Sequence, residues 1–82
     1  PLTDERRNEL TRLVRKVAEE GRVSIRTSRH EAIEQVKKLE KAKTIPEDVS
    51  FAGQKEIQKV TDQVVAQIDE ALKQKEAELG AI

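Results

Sequence analysis

Hydrophobic and small residues recur along the first half of the chain at Leu10, Val14, Val17, Gly21, Ile25, Ser28, Ala32, Val36 and Leu39, in steps of three and four. Their mean spacing of about 3.6 residues is the period of one helical face, so the pattern predicts one long amphipathic helix. Thr3 is placed to cap its N-terminus, and Asp4 and Glu5 fall in the first turn, where the helix dipole favours anions. The helix is expected over about residues 4–43. Thr44-Ile45-Pro46-Glu47-Asp48 then breaks the pattern. The residue before a proline is steered out of the α region, and Pro46 suits the first turn of a following helix. A second periodic run, with Ile57, Val60, Val64, Ile68, Leu72 and Leu79, predicts a helix over about 46–80 with Gly80 as its C-terminal stop. A turn as short as about 44–46 makes the pair an antiparallel αα-hairpin, each helix about 50 Å long.

A hairpin needs one apolar seam per helix, yet apolar residues also come in adjacent pairs: Leu13/Val14, Val17/Ala18, Ala32/Ile33, Val64/Val65 and Ala71/Leu72. Neighbours on a helix lie about 100° apart, so these pairs widen the apolar arc until it fits a bundle interior with at least one further helix. The expected fold class is therefore all-α, an incomplete three-helix bundle. Leu13, Val17, Ile25, Val36, Val60, Val64 and Ile68 form the expected self-association seam. It would be closed by a second copy in a homodimer or by a helix of a longer parent protein.

Composition agrees and narrows the class. Of 82 residues, 39% are charged, 35% are hydrophobic and Phe51 is the sole aromatic, which argues against a β-sandwich or barrel. The chain has no cysteine, hence no disulfide and no thiolate metal site. It carries no apolar run near 18 residues, so neither a membrane span nor a signal peptide is expected, which points to a cytoplasmic protein. Phe51 is expected to pack over the hairpin tip.

Net charge is zero, with 16 basic and 16 acidic residues, but all seven arginines lie at or before Arg29 and eight of nine lysines at or after Lys37. Between Glu20 and Glu31 the chain has no acid, and Arg22, Arg26 and Arg29 in that window share one helical face. Arg15 and Lys37 extend the row at either end, with Glu19 as its acidic interruption. Arginine presents a planar fork of donors that matches phosphate, so a row of unpaired guanidiniums on a stiff helix suits a nucleic-acid backbone. The competing reading is a solvated face with i,i+4 pairs, such as Arg15–Glu19, Lys16–Glu20 and Lys38–Glu34. For Arg22, Arg26 and Arg29 no carboxylate partner is expected three or four residues away. The shortage of aromatics argues against base stacking and for recognition of backbone and shape.

No other chemistry stands out. His30 with Glu34 is half of a metal site at most, since a carboxylate-bridged pair of metals needs a Glu-x-x-His motif from each of two helices. There is no nucleophile elbow and no glycine-rich phosphate loop. The expectation is a non-enzyme without metal or cofactor.

Three separated stretches carry a family resemblance. Pro1-Leu2-Thr3-Asp4-Glu5-Arg6-Arg7, Arg22-Val23-Ser24-Ile25-Arg26-Thr27-Ser28-Arg29 and Gln58-Lys59-Val60-Thr61-Asp62, followed by Lys75-Glu76-Ala77-Glu78-Leu79, match in register without insertion. The chain resembles the C-terminal part of bacterial-type ribosome recycling factors. That resemblance implies an N-terminal helix completing a three-helix bundle and an inserted β/α/β domain, both outside this sequence, so that a chain starting at Pro1 reads as a fragment. It further implies binding to the ribosome after termination and, with elongation factor G, disassembly of the ribosome for recycling, in the cytoplasm or an organellar matrix. The resemblance also implies that arginines on this helix contact large-subunit ribosomal RNA. Carried over by motif, Arg26 and Arg29 match best and Arg22 next, with Arg29 the foremost candidate for a phosphate contact. The stretch Arg29-His30-Glu31-Ala32-Ile33 departs from the usual Arg-Arg-Asp/Glu-Ala-Asn. The alternative from another class is a helical scaffold or oligomerisation module with no role on RNA.

Overall fold

The computed structural model describes residues 2–81. Asp4–Lys41 form α1 and Glu47–Ala81 form α2, 38 and 35 residues long, and the two lie antiparallel against each other as the spacing predicts. Thr3 is the N-cap of α1: its backbone is extended and its Oγ1 accepts the Arg6 N–H at 3.1 Å. This satisfies one of the donors that a helix start leaves unpaired.

The helix ends two residues earlier than expected, and it ends without glycine. Lys43 adopts a left-handed backbone with φ of 60°. Its N–H donates to the Glu40 carbonyl and the Thr44 N–H to the Leu39 carbonyl, both at 2.9 Å, which is the bond pair of a Schellman stop. Pro46 precedes α2, and its carbonyl accepts the Ser50 N–H at 3.1 Å. A residue that lacks an N–H loses nothing there. At the other end Gly80 does not stop α2: it is helical, and no glycine among the described residues has a positive φ.

The line of contact between the helices is built from small groups. Among the described residues Ala18 and Leu79 are the buried hydrophobics, joined by buried Ser50 and Thr61. The Thr61 hydroxyl donates to the Ile57 carbonyl at 2.7 Å, and Ser50 Oγ accepts from Gln54 Nε2 at 3.1 Å, so neither hydroxyl is left unpaired. Gly21 faces α2, and a Cβ there would meet Ile68 Cδ1 at 3.4 Å, close to ordinary contact. The result is a rod of 61 × 15 × 9 Å with a radius of gyration of 18.6 Å. A compact chain of this length would have about 12 Å.

The two flanks of this rod differ in chemistry. On one, Leu13, Val14 and Val17 of α1 and Ile68, Ala71 and Leu72 of α2 line an open groove of about 470 Å³, continued toward the tip by one of about 320 Å³ between Ile25, Ala32, Ile57, Val60 and Val64. Leu13, Val17 and Val60 are 54%, 58% and 47% exposed. Of the other residues expected on the seam, Ile25, Val64 and Ile68 line these grooves, whereas half-buried Val36 points at α2, its Cγ1 3.9 Å from the place a Cβ on Gly53 would take. Arg15, Arg22 and Arg26 stand on the opposite flank, whereas Arg29 also borders the groove nearer the tip.

Phe51 departs from expectation. It does not pack over the tip but stands 64% exposed, with Lys55 Nζ 5.5 Å from its ring centroid. The small Ser50 beside it takes the buried position at the start of α2.

Candidate nucleic-acid interface

Four arginines of α1 stand on the flank that faces the acidic side of α2, and their surroundings sort them. Arg15 Nε donates to Glu76 Oε1 at 2.9 Å, not to Glu19 four residues along its own helix. That hydrogen bond, helped by the attraction between the charges, holds the Glu76 carboxyl below the usual carboxylate range and raises Arg15. Arg22 is clamped twice: Asp69 Oδ1 accepts from it at 2.7 Å and Glu19 Oε2 at 3.0 Å. The bond to Asp69 is the larger cause of its raised pKa. The expectation that Arg22 lacks a carboxylate partner is thus overturned, and Glu19, three residues before it, is one of the two partners. The side chain is only 19% exposed.

Arg29 is held differently. Its Nη1 donates to the neutral Gln58 Oε1 at 2.9 Å, while Gln58 Nε2 donates to Asp62 Oδ1 at 2.9 Å. The glutamine thus relays between guanidinium and carboxylate, and no carboxylate stands within 4 Å of Arg29 among the described residues. Its Nε is buried without a hydrogen-bond partner. Arg26, exposed, makes no hydrogen bond or ion pair among the described residues and borders a shallow polar groove with Arg29, Gln58, Asp62 and Asp69. Lys37 is exposed farther toward the tip.

The i,i+4 pairs Lys16–Glu20 and Lys38–Glu34 do not form among the described residues; the local pairs that do form are at i,i+3, among them Arg6–Glu9, Arg7–Asp4 and Lys75–Glu78. The cross-helix pairs follow a rule that reading each helix alone misses. From Arg15 to Arg22 to Arg29 is two steps of seven residues, and from Glu76 to Asp69 to Asp62 is the same two steps backward. Residues equidistant from the turn face each other in an antiparallel hairpin, so once the turn is placed at 44–46 these partners follow. The third rung is the one that Gln58 interrupts. As a field the flank is close to neutral, with Asp62, Asp69, Glu76 and Glu19 interleaved among the four arginines. Of these four, only Arg26 and Arg29 combine a basic head with freedom from direct carboxylate contact.

The family model described as Ribosome recycling factor matches residues 1–79. The chain belongs to the ribosome recycling factor family. It is similar to the ribosome-recycling factor of Carboxydothermus hydrogenoformans, 51% identical over 82 residues, which is 100% of this chain and 44% of that protein. The ribosome-recycling factor of a Synechococcus strain is 53% identical over the same 82 residues, 45% of its length, and that of Alkaliphilus metalliredigens 51% over 78 residues, 95% of this chain and 42% of that protein. The chain spans less than half the length of these curated relatives. Arg29 and Thr61 border both the polar groove beside Arg26 and the apolar groove nearer the tip, so the two surfaces adjoin at Arg29.

Proposed function

We propose that this hairpin is the ribosome-docking element of a recycling factor, without catalytic chemistry of its own, and that it meets large-subunit ribosomal RNA through Arg26 and Arg29. The activity it serves is disassembly of the post-termination ribosome together with elongation factor G, in the cytoplasm or an organellar matrix. The observation that carries the reading is the contrast within the arginine row: in a chain whose family is that of ribosome recycling factors, Arg26 has no partner among the described residues and Arg29 has a neutral one, whereas Arg15 and Arg22 are already satisfied. Gln58 holds the Arg29 fork in place without neutralising it, which preserves its charge for a phosphate. Arg22 acts as a strut that locks α1 to α2, and Lys37 adds a distal charge.

The test is binding of the chain to large ribosomal subunits as a function of salt. Removing one arginine that pairs with a phosphate should lower the slope of log affinity against log salt by about one. Arg26→Ala and Arg29→Ala are expected to do this, and Arg22→Ala to change the slope less while lowering the melting temperature. A doubly substituted Arg26→Ala/Arg29→Ala chain that binds with unchanged affinity and slope would overturn the proposal. It would favour the scaffold reading, for which the near-neutral charge of the flank speaks.

A further inference from the structure

The three cross-helix rungs share one register but not one outcome. Arg15 faces Glu76, Arg22 faces Asp69 and Arg29 faces Asp62, each step seven residues forward along α1 and seven back along α2. In the first two rungs the arginine Nε donates straight to the carboxylate, at 2.9 and 2.7 Å. In the third, Arg29 Nε has no partner among the described residues, and Nη1 donates to Gln58 Oε1 instead. Arg22–Asp69 is the same pair of residue types in the same register, so reach does not explain the difference. What differs is the residue one helical turn before the carboxylate: Leu72 stands four residues before Glu76, Val65 before Asp69 and Gln58 before Asp62. Leucine and valine offer no polar head in any rotamer. Glutamine does, and it takes the place between the two charges.

We infer that Arg29–Asp62 is a latent ion pair that Gln58 keeps open, and that Asp62 in turn fixes Gln58 in the posture that does so. A side-chain amide has one acceptor end and one donor end. With Gln58 Nε2 bonded to Asp62 Oδ1 at 2.9 Å, its Oε1 is turned to Arg29 Nη1, also at 2.9 Å. The carboxylate spends an acceptor site on the amide, and the guanidinium is steadied by a neutral group. An anion arriving from solvent then meets a fork of donors whose charge no carboxylate has cancelled. Without the amide, Asp62 is the first acceptor in line for Arg29, and a phosphate has to displace it. The hairpin thus forgoes a third direct strut at this rung and keeps a cation available. Gln58 is a positioning residue for the Arg29 contact, and that role rests on the RNA reading proposed above. The latent pair itself does not.

Gln58→Leu gives the third rung the residue type that stands before Glu76, and binding to large ribosomal subunits together with thermal melting reads the result. Affinity should fall about two- to five-fold, the range by which an exposed ion pair shifts a competing equilibrium. The salt dependence of binding should fall toward that of Arg29→Ala. Adding Asp62→Asn should restore affinity, with a larger gain than the same change gives in the parent. In melting, Asp62→Asn should lower the midpoint more in the Gln58→Leu chain than in the parent, because only there does it break an ion pair. A merely structural role for Gln58 gives additive effects in both measurements. Gln58→Glu keeps the side chain's size and hands Arg29 a carboxylate directly, so it should also weaken binding, and Asp62→Asn should help it no more than it helps the parent. Additive effects of Gln58→Leu and Asp62→Asn on melting and on binding overturn the inference. So does a Gln58→Glu chain that binds as the parent does while Arg29→Ala binds more weakly. If Arg29→Ala binds unchanged but the melting temperatures show the coupling, the RNA reading fails and the latent pair stands.

Discussion

Lys43 does at the end of α1 what a glycine usually does. Its φ of 60° places Cβ close to the following carbonyl, a strain of about 1–2 kcal/mol that glycine escapes. The two backbone bonds of the helix stop hold it there, and its side chain is exposed. Lys43→Gly is therefore expected to stabilise the fold by about 1 kcal/mol, after deducting the greater unfolded-state entropy of glycine. The check is a denaturant midpoint shifted upward with unchanged slope, compared at one chain concentration so that association does not enter. Local sequence rules could place this turn, because Pro46 and the loss of period mark it. They could not name the residue that takes the left-handed position, since the usual cue, a glycine, is missing. At Gly80 the same cue misleads: the glycine is present and the helix continues through it. Phe51 shows the complementary gap, for hydrophobicity predicts that a ring will find cover, but cover depends on neighbours that a hairpin tip does not have.

Between the elements, the ladder from Arg15–Glu76 to Arg22–Asp69 joins α1 to α2 at two levels, beside a line of buried residues that includes Ala18, Ser50, Thr61 and Leu79. The Glu76 carboxyl titrates below its ordinary value because Arg15 bonds its charged form. A group shifted in this direction adds stability that is fully present above the ordinary carboxylate range and is lost as pH falls through the lowered folded value. Glu76→Gln should accordingly melt lower than the parent near neutrality and converge with it in acid. Its melting temperature should fall less steeply on acidification, and the difference near neutrality should shrink with added salt, because the pair is exposed. Melting curves across acid pH at two ionic strengths measure both. A variant with the same acid limb as the parent would remove Glu76 from the ladder. The helices, their antiparallel order and their wide apolar arcs could be read from spacing within each run. The partners of Arg15 and Arg22 could not be read from i,i+4 spacing: Glu76 and Asp69 come from the other helix, and Glu19 stands at i−3. The steps of seven on both sides of the turn are present in the sequence but acquire meaning only once the hairpin is assumed. What stayed hidden is Gln58, whose insertion between Arg29 and Asp62 depends on a rotamer and not on a pattern.

At the scale of the whole molecule, the hairpin is a rod of 61 × 15 × 9 Å whose two helices meet along one line, so no second core takes up a disturbance on that line. Ala18 is buried there, and a larger side chain at its position would have to push α1 and α2 apart. Ala18→Leu is therefore expected to destabilise the hairpin by about 1–3 kcal/mol. Phe51→Ala, at a tip position that is 64% exposed, is expected to change stability by less than about 0.5 kcal/mol. Denaturant midpoints of the two variants at one chain concentration measure the contrast, and equal shifts would mean that the line through Ala18 does not carry the packing of the rod.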